Sequence, residues 1–212
     1  MESGAGIDIG GGYMGYTSAD FAAIAWATKY GINGKSDEQP HAELSSLIFQ
    51  ITYERKTYYS FTDPVSWDDD DKAYHSSPGP DSDKHGVLPE GATLFGHIHF
   101  HWEGSENLHS SNVGFSRTTG YFNDYYTMSQ FPKLSFYVVG ATGNLIGRHP
   151  EYMGPQTSKR PGDDPEGKEY PILKNVYGPG IPLLDGAFKY TTNKDRQGTY
   201  IPANSKPWWD RH

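Results

Sequence analysis

The sequence contains no cysteine. Disulfide bonds, thiolate metal ligands and a cysteine nucleophile are therefore excluded. The sequence also lacks any apolar run near the ~20 residues that a membrane-spanning helix needs. It has no run of Lys or Arg, and its net charge is −8. A surface of this charge repels a phosphate backbone, so nucleic acid is a disfavoured partner.

Aromatic residues, glycine and proline are plentiful instead. There are 16 Tyr, 10 Phe and 5 Trp residues, together with 25 Gly and 15 Pro. This mixture suits short strands joined by ordered loops better than a helical bundle. The pattern predicts a glycine-rich linker over residues 1–17, one main domain over 18–150, and an irregular Pro/Gly-rich extension over 151–212 that packs on it.

The main domain is predicted to be α+β, with a central mixed β-sheet and flanking helices near residues 19–30 and 118–130. Ser18 precedes the first helix as a capping residue. Apolar and β-branched runs predict five strands, over 43–53, 57–61, 93–102, 134–139 and 145–146. The first pair should turn near Glu54 and Arg55, and the last pair should form a hairpin.

The strand 93–102 carries an alternating histidine pattern. Side chains alternate between the two faces of a strand, so His97, His99 and His101 should point one way and the apolar residues between them the other. Imidazoles on one face, roughly 7 Å apart, allow neighbouring pairs to share one ion. Two neutral imidazoles with a carboxylate and a water make an open catalytic zinc site. The alternative is a set of solvated or hydrogen-bonded histidines without an ion.

Two His ligands seldom hold zinc tightly, so a third protein ligand is needed. The candidates are Asp124 in the predicted helix, His97 on the same strand face and His109 in a loop. Two further histidines, His75 and His85, lie in loops and are spare candidates only. Glu43 begins an apolar strand, where a carboxylate is costly unless it faces a site or caps the sheet edge.

Read in chain order, these residues resemble the JAB/MPN (JAMM) metalloproteases. That family has a Glu early on a strand, then His-x-His at the end of a later strand, then a Ser and an Asp leading into a helix. The matching positions here are Glu43, His99-Phe100-His101, Ser116 and Asp124. The resemblance implies a JAB/MPN, cytidine-deaminase-like architecture. It also requires an insertion between Ser116 and Asp124.

The chain resembles more closely the JAB-like toxin domains of unknown function at the C-termini of Rhs-type polymorphic toxins. The similar outline covers about residues 18–150; it includes Ala22-Ala23, Glu43-Leu44, Tyr58-Tyr59, Asp63-Pro64-Val65, Gly96 to His101, Phe115-Ser116 and Tyr137 to Gly143. This similarity implies an antibacterial secretion-system effector, secreted or delivered into a target cell. Its partners would be a protein or peptide substrate and a cognate immunity protein.

The resemblance also implies a mechanism. His99, His101 and Asp124 would bind Zn²⁺, which activates a water for hydrolysis of a peptide or isopeptide bond. Glu43 would accept the proton of that water and deliver it to the leaving amine. Ser116 would donate a hydrogen bond to the developing oxyanion. His97 would be an outer partner of the site or a spare.

Other interpretations stay open. His99-Phe100-His101-Trp102 is similar to the zinc strand of α-carbonic anhydrases, but no third histidine strand follows it. The spacing of Gly91, His97, His99 and Glu103 partly fits a cupin motif. A zinc nuclease or deaminase is disfavoured by the acidic charge and the missing cysteines. A JAB-like fold without metal, acting as a binding module, is the non-enzymatic alternative.

Overall fold

The structure is a computed structural model, and it describes residues 6–30, 43–68, 76–101, 115–116, 124–140, 144–150, 170–173, 190–194 and 200–202. Two α-helices, a 3₁₀ turn at Asp83–His85 and ten strands are formed in these ranges. In chain order the elements are β1 (Ile7–Asp8), β2 (Met14–Gly15), α1 (Ala19–Tyr30), β3 (Ser45–Tyr53), β4 (Lys56–Phe61), β5 (Thr93–Phe100), α2 (Asp124–Gln130), β6 (Ser135–Val139), β7 (Leu145–Arg148), β8 (Tyr170–Leu173), β9 (Tyr190–Lys194) and β10 (Tyr200–Pro202).

Six of the strands form one mixed sheet, in the order β4-β3-β5-β6-β7-β8. Only β5 and β6 pair in parallel; the other neighbours in this sheet are antiparallel. The predictions of an α+β fold and of a central mixed sheet flanked by helices are thus confirmed. The β3–β4 and β6–β7 hairpins also lie where the sequence predicted them. The turn residues Glu54 and Arg55 both have positive φ angles, as a two-residue hairpin turn of type I′ requires.

Helix α1 covers one face of the sheet. It begins where the sequence predicts, because the Ser18 hydroxyl accepts a hydrogen bond from the Phe21 N–H and so satisfies one of the free donors of the first turn. The fully buried Trp26 is its main anchor and donates from Nε1 to Ser46 Oγ on β3 at 2.8 Å. The core on this face includes Ile98 and Phe100 of β5.

Helix α2 covers the opposite face. Its Tyr125 and Met128 pack with Phe136 and Val138 of β6. Tyr137 and Val139 alternate with these two β6 residues along the strand and belong to the α1 side. The sheet is therefore enclosed between two helices, and the two faces of β6 meet separate apolar clusters.

Several predicted boundaries differ from the structure. Strand β3 begins at Ser45 rather than 43, and β5 ends at Phe100 rather than 102. The helix predicted near 118–130 is formed over Asp124–Gln130, and residues 117–123 lie outside the described part. Residues 1–17 were predicted to form a linker. In the structure, β1 and β2 within this region pair with each other, and Tyr16 forms a bridge to Tyr59 of β4.

The region 151–212 also contains more regular structure than the sequence predicted. Strand β8 pairs with β7 and completes the main sheet, while β9 and β10 pair with each other. The apolar residues Ile172 and Leu173 of β8 are buried in the core beneath α1. Burial of these side chains favours the pairing of β8 with the sheet edge, which it also covers. Across the described ranges, none of the helices is long and apolar enough to cross a lipid bilayer.

Candidate metal centre

His97 and His99 of β5, and His101 directly after it, lie on the sheet face that α2 covers. His97, His99 and His101 retain only 3%, 3% and 5% of their surface exposure, so a solvated histidine face is wrong, whereas the alternative of hydrogen-bonded histidines without an ion agrees with their contacts. The alternation predicted from the sequence is confirmed, because Ile98 and Phe100 pack on the α1 side. The Nε2 atoms of His99 and His101 lie 3.1 Å apart. Burial of polar rings is costly unless they find partners, so this face is built for polar contacts.

Asp124 completes a cluster with these two rings. It is the first residue of α2, and its Oδ1 lies 3.1 Å from His99 Nε2 while its Oδ2 lies 3.3 Å from His101 Nε2. One potential ligand atom from each of the three residues lies within 4.8 Å of the others. The packing of Tyr125 and Met128 against the sheet holds the start of α2 at this height above β5.

The electrostatics of Asp124 reflect these neighbours. Burial by itself raises the pKa of a carboxyl group. The charge of His99 and hydrogen bonds from His101 and His99 outweigh this effect and hold the pKa of Asp124 well below its usual value. The carboxylate is therefore ionised at every physiological pH and is available as an anionic ligand.

Ser116 is fixed to Asp124 by two reciprocal hydrogen bonds. The Ser116 N–H donates to Asp124 Oδ2 at 2.6 Å, and the Asp124 N–H donates to Ser116 Oγ at 2.9 Å. These two bonds join residues eight positions apart in the sequence and orient the Asp124 carboxylate towards β5. Ser116 lies beside the cluster, and its hydroxyl retains a proton that it can donate elsewhere.

Glu43 approaches the cluster from the neighbouring strand. Ser45 pairs with His99, and the Leu44 carbonyl accepts a hydrogen bond from the Phe100 N–H, so Glu43 lies opposite His101 in the continued register. Burial raises the pKa of Glu43 to about 7; the nearby rings of His101 and His99 oppose this shift, and Asp124 adds to it. The residue keeps part of its surface exposed. A carboxyl group with a pKa near neutrality can both accept and return a proton.

His97 does not join the ligand cluster. Its Nε2 lies 2.9 Å from the carbonyl oxygen of Pro78, which also accepts a hydrogen bond from Ser45 Oγ at 2.8 Å. The ring of His85 lies beside that of His97, with His85 Nε2 3.4 Å from the same carbonyl. The sequence does not predict the contact with Pro78, because any residue can offer a backbone carbonyl. Ser45, a polar residue at the start of an apolar strand, is the weak signal that a polar partner lies nearby. His75 and His109 lie outside the described residues.

The donor atoms of the cluster are close enough together to share a metal ion. The two Nε2 atoms lie 3.1 Å apart, and each lies 3.1 or 3.3 Å from a different oxygen of Asp124; with one ligand atom taken from each residue, all three lie within 4.8 Å of one another. Two imidazole nitrogens and one carboxylate oxygen are ligands that zinc accepts in catalytic sites, with the fourth position open. The group of His99, His101 and Asp124 could therefore hold a metal ion.

Comparisons with protein-family models, with curated proteins and with solved structures found no match to this chain. The resemblance to JAB/MPN proteins therefore stays a prediction from the residues. The structure itself shows an α+β fold with a buried His-His-Asp cluster that could hold a metal ion.

Proposed function

We propose that the chain is a zinc-dependent hydrolase, with the ion held by His99, His101 and Asp124. The observation that carries this proposal is the convergence of two Nε2 atoms and one ionised carboxylate at separations of 3.1–3.3 Å. The three residues come from a strand and from a helix that packs on it. Zinc in such a site supplies a Lewis acid that makes a water acidic near neutral pH.

Two further residues carry the remaining steps. Glu43, whose pKa is raised to about 7, accepts the proton of the attacking water and returns it to the leaving group. Ser116 Oγ accepts a hydrogen bond from the Asp124 N–H, so its own proton can be directed at the developing oxyanion. The two residues lie at different sides of the cluster, since Glu43 comes from the β3 side and Ser116 from the α2 side.

The substrate and setting follow from the resemblance alone. We propose a peptide or isopeptide bond as the substrate, and a toxin delivered into a target bacterium as the biological role. A cognate immunity protein would then be the partner that protects the producing cell.

Zinc content and hydrolytic activity test the proposal together. Protein purified without chelator and then offered zinc should bind one ion, measured by elemental analysis. The double variant His99→Ala/His101→Ala should bind none, while His149→Gln, on the α1 side of the sheet, should bind like wild type. Glu43→Gln should keep the ion but lose peptidase activity or toxicity on expression inside bacteria. Absence of bound zinc in the wild type would refute the hydrolase.

A binding module without metal is the alternative that one observation favours. The Asp124 oxygens lie within direct hydrogen-bonding distance of both imidazoles, at 3.1 and 3.3 Å, so the three side chains can also satisfy one another as a buried polar network. In that case the wild type binds no zinc, and Asp124→Asn lowers the thermal stability without changing any activity.

A further inference from the structure

His97 has a fixed orientation that the proposed chemistry does not use. A carbonyl oxygen only accepts hydrogen bonds, so the nitrogen 2.9 Å from Pro78 O, His97 Nε2, must carry the proton. A neutral imidazole has one N–H, and the contact with the carbonyl assigns it to Nε2. Its Nδ1 is therefore an unprotonated acceptor. This atom is buried, and no residue in the described ranges offers it a hydrogen bond.

His99, in contrast, lacks an acceptor for its second ring nitrogen within the described part of the chain. When its Nε2 faces an ion, its Nδ1 must carry the proton, because a neutral imidazole has one N–H. This Nδ1 is also buried and has no acceptor among the residues that the structure describes. Ligating histidines almost always donate this second N–H to an acceptor, which fixes the tautomer and the ring orientation.

The two rings are neighbours on one strand face. Their centroids are 5.6 Å apart and their planes are inclined by 34°. A ring nitrogen lies about 1.1 Å from its centroid, so Nδ1 atoms that face each other along the line between the rings would be about 3.3 Å apart, close to hydrogen-bonding distance. Among the described residues, a donor without an acceptor and an acceptor without a donor thus lie on neighbouring buried rings, and each unmet polar group costs stability.

We propose that His97 is a positioning residue that accepts a hydrogen bond from His99 Nδ1–H and so presents His99 Nε2 to the metal ion. This proposal rests on the proposed metal site. The resulting chain of contacts runs from the Pro78 carbonyl through His97 and His99 to the ion. Ser45 Oγ, which donates to the same carbonyl at 2.8 Å, holds the segment around Pro78 against β3.

Two substitutions of His97 separate its hydrogen bond from its bulk. Asparagine places an oxygen acceptor near the position of Nδ1, whereas phenylalanine fills the space without an acceptor. In a competition titration with a zinc chelator, His97→Phe should weaken zinc binding about 10- to 100-fold, the usual cost of losing an outer hydrogen-bond partner. His97→Asn should stay within about 3-fold of wild type. His85→Phe, which removes the neighbouring ring on Pro78, is the matched control and should leave zinc affinity unchanged.

Nitrogen-15 NMR of the imidazoles in the zinc-loaded wild type gives a second readout that needs no variant. His97 should show the Nε2–H tautomer and His99 the Nδ1–H tautomer, with a shift of His99 Nδ1 in His97→Phe. Equal zinc affinity in His97→Phe and wild type, or a His97 ring protonated at Nδ1, would overturn the proposal. Failure of the wild type to bind zinc would instead refute the metal site itself.

Discussion

Replacing Glu43 with glutamine should stabilise the metal-free protein at alkaline pH. The fold raises the pKa of Glu43 from 4.5 to about 7, chiefly through burial. Between these two pH values the folded chain holds a proton that the unfolded chain has lost, so the free energy of unfolding falls as pH rises. The contribution of the protonated carboxyl is complete below pH 4.5 and is lost as the pH passes about 7.

The size of this effect follows from the same values. Each pH unit between 4.5 and about 7 corresponds to roughly 1.4 kcal/mol, which gives an upper limit of about 3 kcal/mol at pH 8. Glu43 keeps partial solvent exposure, and screening by water reduces the gain, so we expect about 1–3 kcal/mol. Glutamine retains the shape of the side chain but has no charge to bury.

Urea denaturation of chelator-treated protein at pH 4.5 and pH 8 measures this difference. Glu43→Gln should unfold at nearly the wild-type urea concentration at pH 4.5 and at a clearly higher one at pH 8. Glu90→Gln, at an exposed position in the loop before β5, should show no such pH-dependent gain. If Glu43→Gln were equally or less stable than wild type at pH 8, the carboxylate would not be buried at a cost, and the physical argument for its role as proton acceptor would fail.

Two further substitutions test how the site is held. Gly96→Ala should destabilise the fold by about 1–3 kcal/mol, because its Cβ would lie 2.5 Å from the Ser135 carbonyl oxygen on β6. Thermal denaturation measures this loss of stability. The control Gly79→Ala should cost far less, because its Cβ meets only a side chain, at 3.4 Å. Ser116→Ala removes the hydroxyl that accepts a hydrogen bond from the Asp124 N–H. The substitution should weaken zinc binding at least several-fold in a chelator competition. An unchanged zinc affinity would show that the packing of α2 alone orients the Asp124 carboxylate.

Local sequence patterns were sufficient to predict the elements and the histidine face. Alternation along β5 is a property of any extended chain, so the separation of its histidines from Ile98 and Phe100 needed no knowledge of the neighbouring strands. The start of α1 was predictable because a capping serine acts within one helical turn. The strands after residue 150 were not predicted, since short edge strands in a Pro/Gly-rich segment depend on the sheet they join.

The third ligand and the surroundings of the histidines depended on tertiary structure. Asp124 was chosen from the sequence only through a family resemblance, with His97 and His109 as alternatives. The fold brings Asp124 to the ring nitrogens because α2 packs on β6, which pairs in parallel with β5. The same packing leaves His97 against Pro78, a contact made by a backbone carbonyl nineteen positions earlier in the chain. The sequence shows which donor residues exist, but only the packing of helix, loop and strand determines which of their atoms lie close together.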